Sequence, residues 1–278
     1  MSEPTASKTA VAVLTLRAAH QLLDGEPKVL VDPVAALLLT EQERALLAEP
    51  ERFHAPLALS LRAHVVARSR YAEDCLEAAC ARGIEQLVVL GAGLDSFAYR
   101  QPAWAKGLRI FEVDHPASQA AKQARLLAAG LPTPANLTWA PVDFERTSLA
   151  DGLLRVGFRA DQPAFLTCLG VLVYLTSDAV DELFRFVATL PPSTEIVFTI
   201  SGNYRESSSS SQLASAAGAM GEPWLSVLTA EHLVPKLHAL GFREASVMTE
   251  QAIATRYFEN RSDALKAPPH DRIGRAVV

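Results

Sequence analysis

Cysteine is scarce in this 278-residue chain: Cys75, Cys80 and Cys168 are its three thiols, with no CxxC pair and no histidine at zinc-ligand spacing. A disulfide framework and a structural metal are therefore excluded as the basis of the fold, and a reducing cytosol is the expected compartment. Long apolar runs are missing as well. No segment reaches the roughly 20 residues a membrane-spanning helix needs, and the stretch Val29 to Leu39 is broken by Asp32 and Pro33. Met1 to Ala10 is polar, without an apolar core followed by a cleavage site, so the chain reads as unexported. Positive charge is also in short supply, since 26 Lys and Arg face 31 Asp and Glu for a net charge of -5. With no dense Lys/Arg face either, nucleic acid and membrane surfaces are not expected partners.

What is present is ordinary globular material. Hydrophobic residues make up 49% and charged residues 21%, enough apolar side chain for a substantial core in one large domain or two small ones. Thr9 to Leu23 carries its apolar residues at helical spacing and closes at Asp24-Gly25. Asp32-Pro33 opens a second helical stretch through Leu39, and Ala58 to Cys80 gives a third. Residues 1–80 thus read as a helical unit. From Gln86 the pattern changes: Leu87-Val88-Val89-Leu90 is a short continuous apolar run, the mark of a strand buried on both faces. Similar runs recur at Arg109 to Val113, Leu137 to Pro141, Ala164 to Cys168 and Glu195 to Ile200, with helical stretches at Ala117 to Ala129 and Asp178 to Leu190. Strand alternating with helix predicts an α/β fold with a doubly wound sheet over 81–278. The serine run Ser207 to Ser211 favours a loop, within an insertion expected on the substrate side around 201–228. Thr229 to Leu240 then reads as a helix, and Phe242 to Met248 and Arg275 to Val278 as closing strands.

The segment Leu90-Gly91-Ala92-Gly93-Leu94-Asp95-Ser96 sets two glycines where a buried strand is expected to turn into a helix, which lets the backbone approach a ligand closely. A tight turn without a ligand satisfies the same pattern. Two cofactor classes compete for such a loop: dinucleotides, whose pyrophosphate sits on a helix N-terminus, and S-adenosylmethionine, which carries no phosphate. Ser96 stands where the dinucleotide fingerprint has its third glycine, and Asp95 would put negative charge beside a pyrophosphate. Asp95 suits a cationic or zwitterionic ligand, or simply caps the helix. The second strand ends at Phe111-Glu112-Val113-Asp114, where a carboxylate can bind ribose hydroxyls, and the third at Val142-Asp143-Phe144, which offers a carboxylate and an apolar face to an adenine.

Taken together in order, Arg17-Ala-Ala-His20, Asp32-Pro33, Ala67-Arg-Ser-Arg70, the glycine loop, Phe111-Glu-Val-Asp-His-Pro116, Val142-Asp-Phe144 and Leu172-Val-Tyr-Leu175 resemble the leucine carboxyl methyltransferase family and its bacterial relatives. That resemblance implies a class I methyltransferase, Rossmann-like fold with a helical N-terminal lid. It further implies that Arg68 grips the carboxylate of S-adenosylmethionine, that Gly91, Ala92 and Gly93 contact its methionine portion, and that Asp114 and Asp143 hold ribose and adenine. His115 and Phe144 flank those acids. One departure stands out: where the protein-modifying members carry a glutamate before the Val-Leu-Val-Tyr stretch, this chain has Leu169 followed by Gly170.

Methyl transfer from a sulfonium is an in-line displacement, so alignment and exclusion of water are the enzyme's main tasks. An ionised carboxylate acceptor needs no base, whereas a hydroxyl needs a proton acceptor. Candidates are His20, His115, Tyr174 and Tyr204, with Arg17, three residues before His20 on one helical face, able to bind an acidic substrate if that face lines the site. A solvent-facing stripe for Arg17 and His20, and a core position for Tyr174, are the plainer readings. The expected activity is O-methylation of a small-molecule carboxylate or hydroxyl, with a nicotinamide-dependent oxidoreductase and a non-catalytic scaffold as alternatives.

Overall fold

The computed structural model describes residues 7–143, 147–202, 208–269 and 272–278. Its centre is a seven-stranded sheet in the order β3-β2-β1-β4-β5-β7-β6, built from β1 (Gln86–Leu90), β2 (Arg109–Asp114), β3 (Leu137–Pro141), β4 (Phe165–Cys168), β5 (Glu195–Thr199), β6 (Glu244–Val247) and β7 (Ile273–Val277). β1 pairs in parallel with β2 and β4, and β7 enters antiparallel between β5 and β6. The order reverses at β1, so the C-terminal ends of β1 and β4 diverge there and leave the crevice in which such sheets bind ligands.

Ten helices accompany the strands among the described residues: α1 (Lys8–Leu23), α2 (Glu41–Leu46), α3 (Glu51–His54), α4 (Pro56–Ala81), α5 (Pro116–Ala128), α6 (Leu149–Arg155), α7 (Ser177–Ala188), α8 (Ser208–Ala219), α9 (Ala230–Ala239) and α10 (Glu250–Ile253). Alternate residues of β1 serve opposite faces of the sheet, as the period of two requires. Leu87 and Val89 join Ala63, Val66 and Ala67 of α4 on one side. Val88 and Leu90 meet Leu153 of α6 and Leu183 and Phe184 of α7 on the other. This two-sided burial explains why the strands are apolar without interruption.

Residues 1–80, read as one helical unit, divide into two roles. α4 forms a layer of the sheet itself, whereas Leu14, Ala18 and Ala19 of α1 pack with Val34, Leu38 and Phe53, and with Leu94 of the glycine loop, in a separate cluster. The helix expected at Asp32 to Leu39 is a series of turns instead, with Ala35 N–H bonded to Asp32 O and Leu37 N–H to Val34 O. Asp32 is fully buried; its Oδ1 accepts from Ala35 N–H (3.1 Å), while its other oxygen lies 2.8 Å from Arg17 Nε. Ser208 to Ser211 of the serine run, expected as a loop, begin α8, and Ser207 lies outside the described residues. After the glycine loop the expected α-helix is replaced by a single 3-10 turn, Phe97–Tyr99.

Candidate functional site

At the C-terminal ends of β1 to β4 lies a cavity of about 830 Å3. Its floor is the glycine loop. Gly91 adopts φ +60, and a Cβ there would lie 2.3 Å from Val171 Cγ2, so no other residue fits without displacing the segment after β4. The loop is closed by Ala92 N–H bonding to Val113 O (3.0 Å) and Asp95 N–H to Ala92 O (2.7 Å). Asp114, at the end of β2, accepts from Gly93 N–H (2.5 Å) through one oxygen and from His115 N–H (2.7 Å) through the other. Two backbone donors thereby fix its orientation, and each oxygen keeps a lone pair for a further donor.

Asp95 takes the capping role that was one of its two sequence readings. Its Oδ1 accepts from Phe97 N–H (2.8 Å), capping the 3-10 turn, while the residue also lines the cavity. His115 caps α5 by accepting from Ala117 N–H (3.2 Å) and faces the cavity, as do Asp143 and Tyr174, the last residue of the 3-10 turn Leu172–Tyr174. Phe144 and Tyr204 lie outside the described residues.

Arg68 reaches the cavity from α4 as a partly buried guanidinium whose Nε is fully buried and has no hydrogen-bond partner among the described residues. Burial pushes its pKa down to about 10, opposed by the Tyr174 phenol and the Asp95 carboxylate, so it stays charged at neutral pH. Gly170 makes room for it. A Cβ at Gly170, where φ is +77, would lie 2.8 Å from Arg68 Nη1.

Neither Arg17 nor His20 faces solvent. Arg17 reaches the cavity edge largely engaged: Nε lies 2.8 Å from Asp32, Nη2 bonds to Leu94 O (3.2 Å) and Ser96 Oγ (2.9 Å), and Nη1 stands 3.8 Å from Asp95. Ser96 in turn donates to Asp32 (2.8 Å) and accepts from Arg100 Nε (3.0 Å), whose other nitrogens hold Glu73. This network pins the outer end of the glycine loop to α1 and α4. His20 is not among the cavity residues. It is fully buried, bonded through Nδ1 to Asp24 (2.7 Å), and its Nε2 accepts from Leu30 N–H (3.3 Å). Asp24 also receives both nitrogens of the Arg62 fork, at 2.7 and 2.8 Å. Burial works against its charge, yet the bonds from His20 and Arg62 hold its pKa below the ordinary value.

The far wall falls in the insertion expected around 201–228, but sequence reasoning named none of its residues. Glu222, in the segment after α8, accepts from Ser7 Oγ (2.7 Å), from Lys8 N–H (2.8 Å) and from Thr9 Oγ1. A few residues on, Leu225 N–H bonds to Val173 O (2.7 Å) and Ser226 Oγ to Leu172 O (2.8 Å). The segment is thus strapped at one end to the start of α1 and at the other to the turn that carries Tyr174. No local pattern announces a bond between residues more than 200 positions apart.

Comparison with known proteins agrees with this geometry. A leucine carboxyl methyltransferase family profile matches residues 10–188. The chain is 35% identical over 211 residues to a Bacillus subtilis (strain 168) protein named "Putative S-adenosyl-L-methionine-dependent methyltransferase YktD", the match covering 73% of this chain and 68% of that one. A Parafrankia sp. (strain EAN1pec) protein of the same designation is 38% identical over 134 residues, and there the match covers 48% of this chain and 43% of the relative. The fold is shared with a solved DUF574 family protein from Streptomyces avermitilis MA-4680, at a TM-score of 0.63 and 14% identity over 98% of this chain and 97% of that one. From the extent of the profile match and the identity to the Bacillus protein, the chain belongs to the leucine carboxyl methyltransferase family of S-adenosylmethionine-dependent methyltransferases.

Proposed function

We propose that this chain transfers the methyl group of S-adenosylmethionine to an oxygen nucleophile, a carboxylate or hydroxyl, on a small molecule in the cytoplasm. The observation that carries the reading is Arg68: a guanidinium with no counter-ion among the described residues, lining the cavity between the glycine loop and Tyr174, is a receptor for a carboxylate. Asp114 suits the ribose diol and Asp143 the adenine amine. The orphaned Arg68 Nε fits the carboxylate at the amino-acid end of this cofactor. When bound, the cofactor supplies a methyl carbon whose bond to sulfur breaks as the bond to the acceptor oxygen forms, the sulfur keeping the electron pair.

The protein's own residues bind, orient and exclude water. Arg68 and Asp114 fix the two ends of the nucleoside, and the Arg17–Asp32–Ser96–Arg100 network holds the loop between them. Tyr174 stands on the acceptor side, where it can orient the nucleophile or accept a proton from a hydroxyl. His20 acts only through the packing of α1. The oxidoreductase alternative is disfavoured because the described residues after the loop form no α-helix whose N-terminus could hold a pyrophosphate, and Ser96 is buried in the ion-pair network.

Calorimetry with S-adenosylmethionine, followed by incubation with the methyl-labelled cofactor and a panel of carboxylic acids and phenols, tests the proposal. Saturable binding with label transferred to oxygen supports it. No binding heat would leave a scaffold as the better reading. A second expected result concerns Gly170→Ala, which sets a Cβ 2.8 Å from Arg68 Nη1 at positive φ. The strain costs about 1 kcal/mol, and displacement of the guanidinium weakens cofactor affinity roughly tenfold, or about 1.4 kcal/mol. Unchanged calorimetric affinity would show that Arg68 does not need its present position.

A further inference from the structure

Every polar group assigned to the cofactor lies on the sheet side of the cavity, at strand ends or on α4. The opposite wall has a different character. From the strap it receives Leu213, Ala217, Met220 and Trp224, and from α1 it receives Val13 and Leu16. The carboxylate this wall does carry, Glu222, is committed to Ser7, Lys8 and Thr9 at the start of α1. Those bonds hold its pKa below the ordinary value against the opposing effect of burial, so the strap stays fastened at neutral pH. Arg272, with an interaction of its own, enters beside Ile200 at the end of β5 rather than from the strap.

We propose that the strap from Leu213 to Leu225 is the acceptor-binding wall, and that the acceptor is a small molecule with a predominantly apolar body enclosed between the strap and α1. The inference rests on the methyltransferase reading, since it assigns to the acceptor the part of the cavity that the cofactor's polar groups leave over. Three features carry it. The wall is mainly apolar over two elements, α1 and the strap, and its polar members Thr9, Arg17 and Glu222 are bonded within the protein. The C-terminal part of the strap, the segment after α8, is bonded to α1 through Glu222 and to the Leu172–Tyr174 turn through Leu225 and Ser226, so it stands over the residue placed on the acceptor side. A polymer or a multiply charged metabolite would have to break the Glu222 bonds or leave its charges facing leucine, methionine and tryptophan, at the cost of unpaired buried charge. An apolar acceptor gains from the same surface.

The test uses the full chain with labelled S-adenosylmethionine and two homologous series, straight-chain carboxylic acids and 4-alkylphenols, together with dicarboxylic acids of matched length. Expected is a rise in kcat/KM of roughly three- to fourfold per added methylene until the cavity is filled, the ratio corresponding to about 0.8 kcal/mol per CH2, and weak turnover of the dicarboxylates. Met220→Glu and Leu213→Glu should each raise KM for the longer acceptors at least tenfold while the calorimetric affinity for S-adenosylmethionine stays within twofold. A flat chain-length series, dicarboxylates used as well as monocarboxylates, or acidic strap variants with unchanged KM would overturn the inference while cofactor binding remains intact. Absence of cofactor binding in the unsubstituted protein would instead defeat the methyltransferase reading.

Discussion

Arg68→Met is expected to weaken S-adenosylmethionine binding roughly 30- to 150-fold and, at the same time, to raise the melting temperature of the ligand-free protein. The first effect follows from the loss of charge-assisted bonds to a carboxylate, about 2–3 kcal/mol. The second follows from the state of the guanidinium before ligand arrives. Its Nε is buried without a partner, and burial lowers its pKa from 12.5 to about 10. The fold therefore disfavours the charged form, a penalty fully present below pH 10 that fades as the pH rises from 10 toward 12.5. An unbranched methionine keeps much of the packing of the arginine stem and removes the penalty, a gain of about 1–2 kcal/mol, or roughly 2–8 °C. Calorimetry and thermal unfolding, with and without S-adenosylmethionine, read both changes. A variant that melts lower and still binds the cofactor would show Arg68 to be a structural residue.

Lys122→Met is expected to cost about 3–5 kcal/mol of folding stability, far more than removing both members of its pair. Lys122 of α5 and Glu112 of β2 are both fully buried and lie 2.5 Å apart, with the ammonium also 5.6 Å above the Trp139 ring. Burial pushes Glu112 up from 4.5 to about 7, helped by the Asp95 and Asp114 charges and opposed by Lys122. An acid raised in this way stabilises the fold most below its ordinary pKa, and the contribution is lost as the pH rises through 7. Without Lys122 the stranded carboxyl is relieved only by protonation, so the deficit should shrink between pH 8 and pH 5. The double variant Glu112→Gln with Lys122→Met should recover most of the loss and show little pH dependence over that range. Chemical denaturation at the two pH values checks this, and equal deficits in the single and double variants would contradict it. The consequence reaches the site, because Asp114 follows Glu112 by two residues on the same strand and His115 caps the helix that carries Lys122.

The uninterrupted apolar runs at Leu87 to Leu90 and Glu195 to Ile200 were enough to identify buried parallel strands, because burial on both faces is a property of each short segment. The strand-end acid Asp114 and the glycine pair were legible for the same reason: a turn and the residues beside it are set by neighbours in the chain. Asp32 to Leu39 was misread as helical because its local pattern is compatible with a helix, and Asp32 does accept from Ala35 N–H as a cap would, but the backbone beyond it forms only successive turns. The serine run was misread in the opposite direction, as a loop, since composition says nothing of the surface on which α8 rests.

Local order along the chain, then, determined the α/β alternation, the order of the elements and the ligand-binding edge of the sheet. Which side chains meet was decided by tertiary structure alone. Arg17 and Ser96 are 79 positions apart, Asp32 and Ser96 are 64 apart, and Glu222 and Ser7 are 215 apart. Each pair exists only because particular helix faces dock, and docking is chosen by the burial of the whole core rather than by any residue's neighbours. Arg68 shows the difference most sharply: its position on α4 was readable from the sequence, but that it would stand in a cavity with no counter-ion among the described residues was decided by how the helices and strands pack around it.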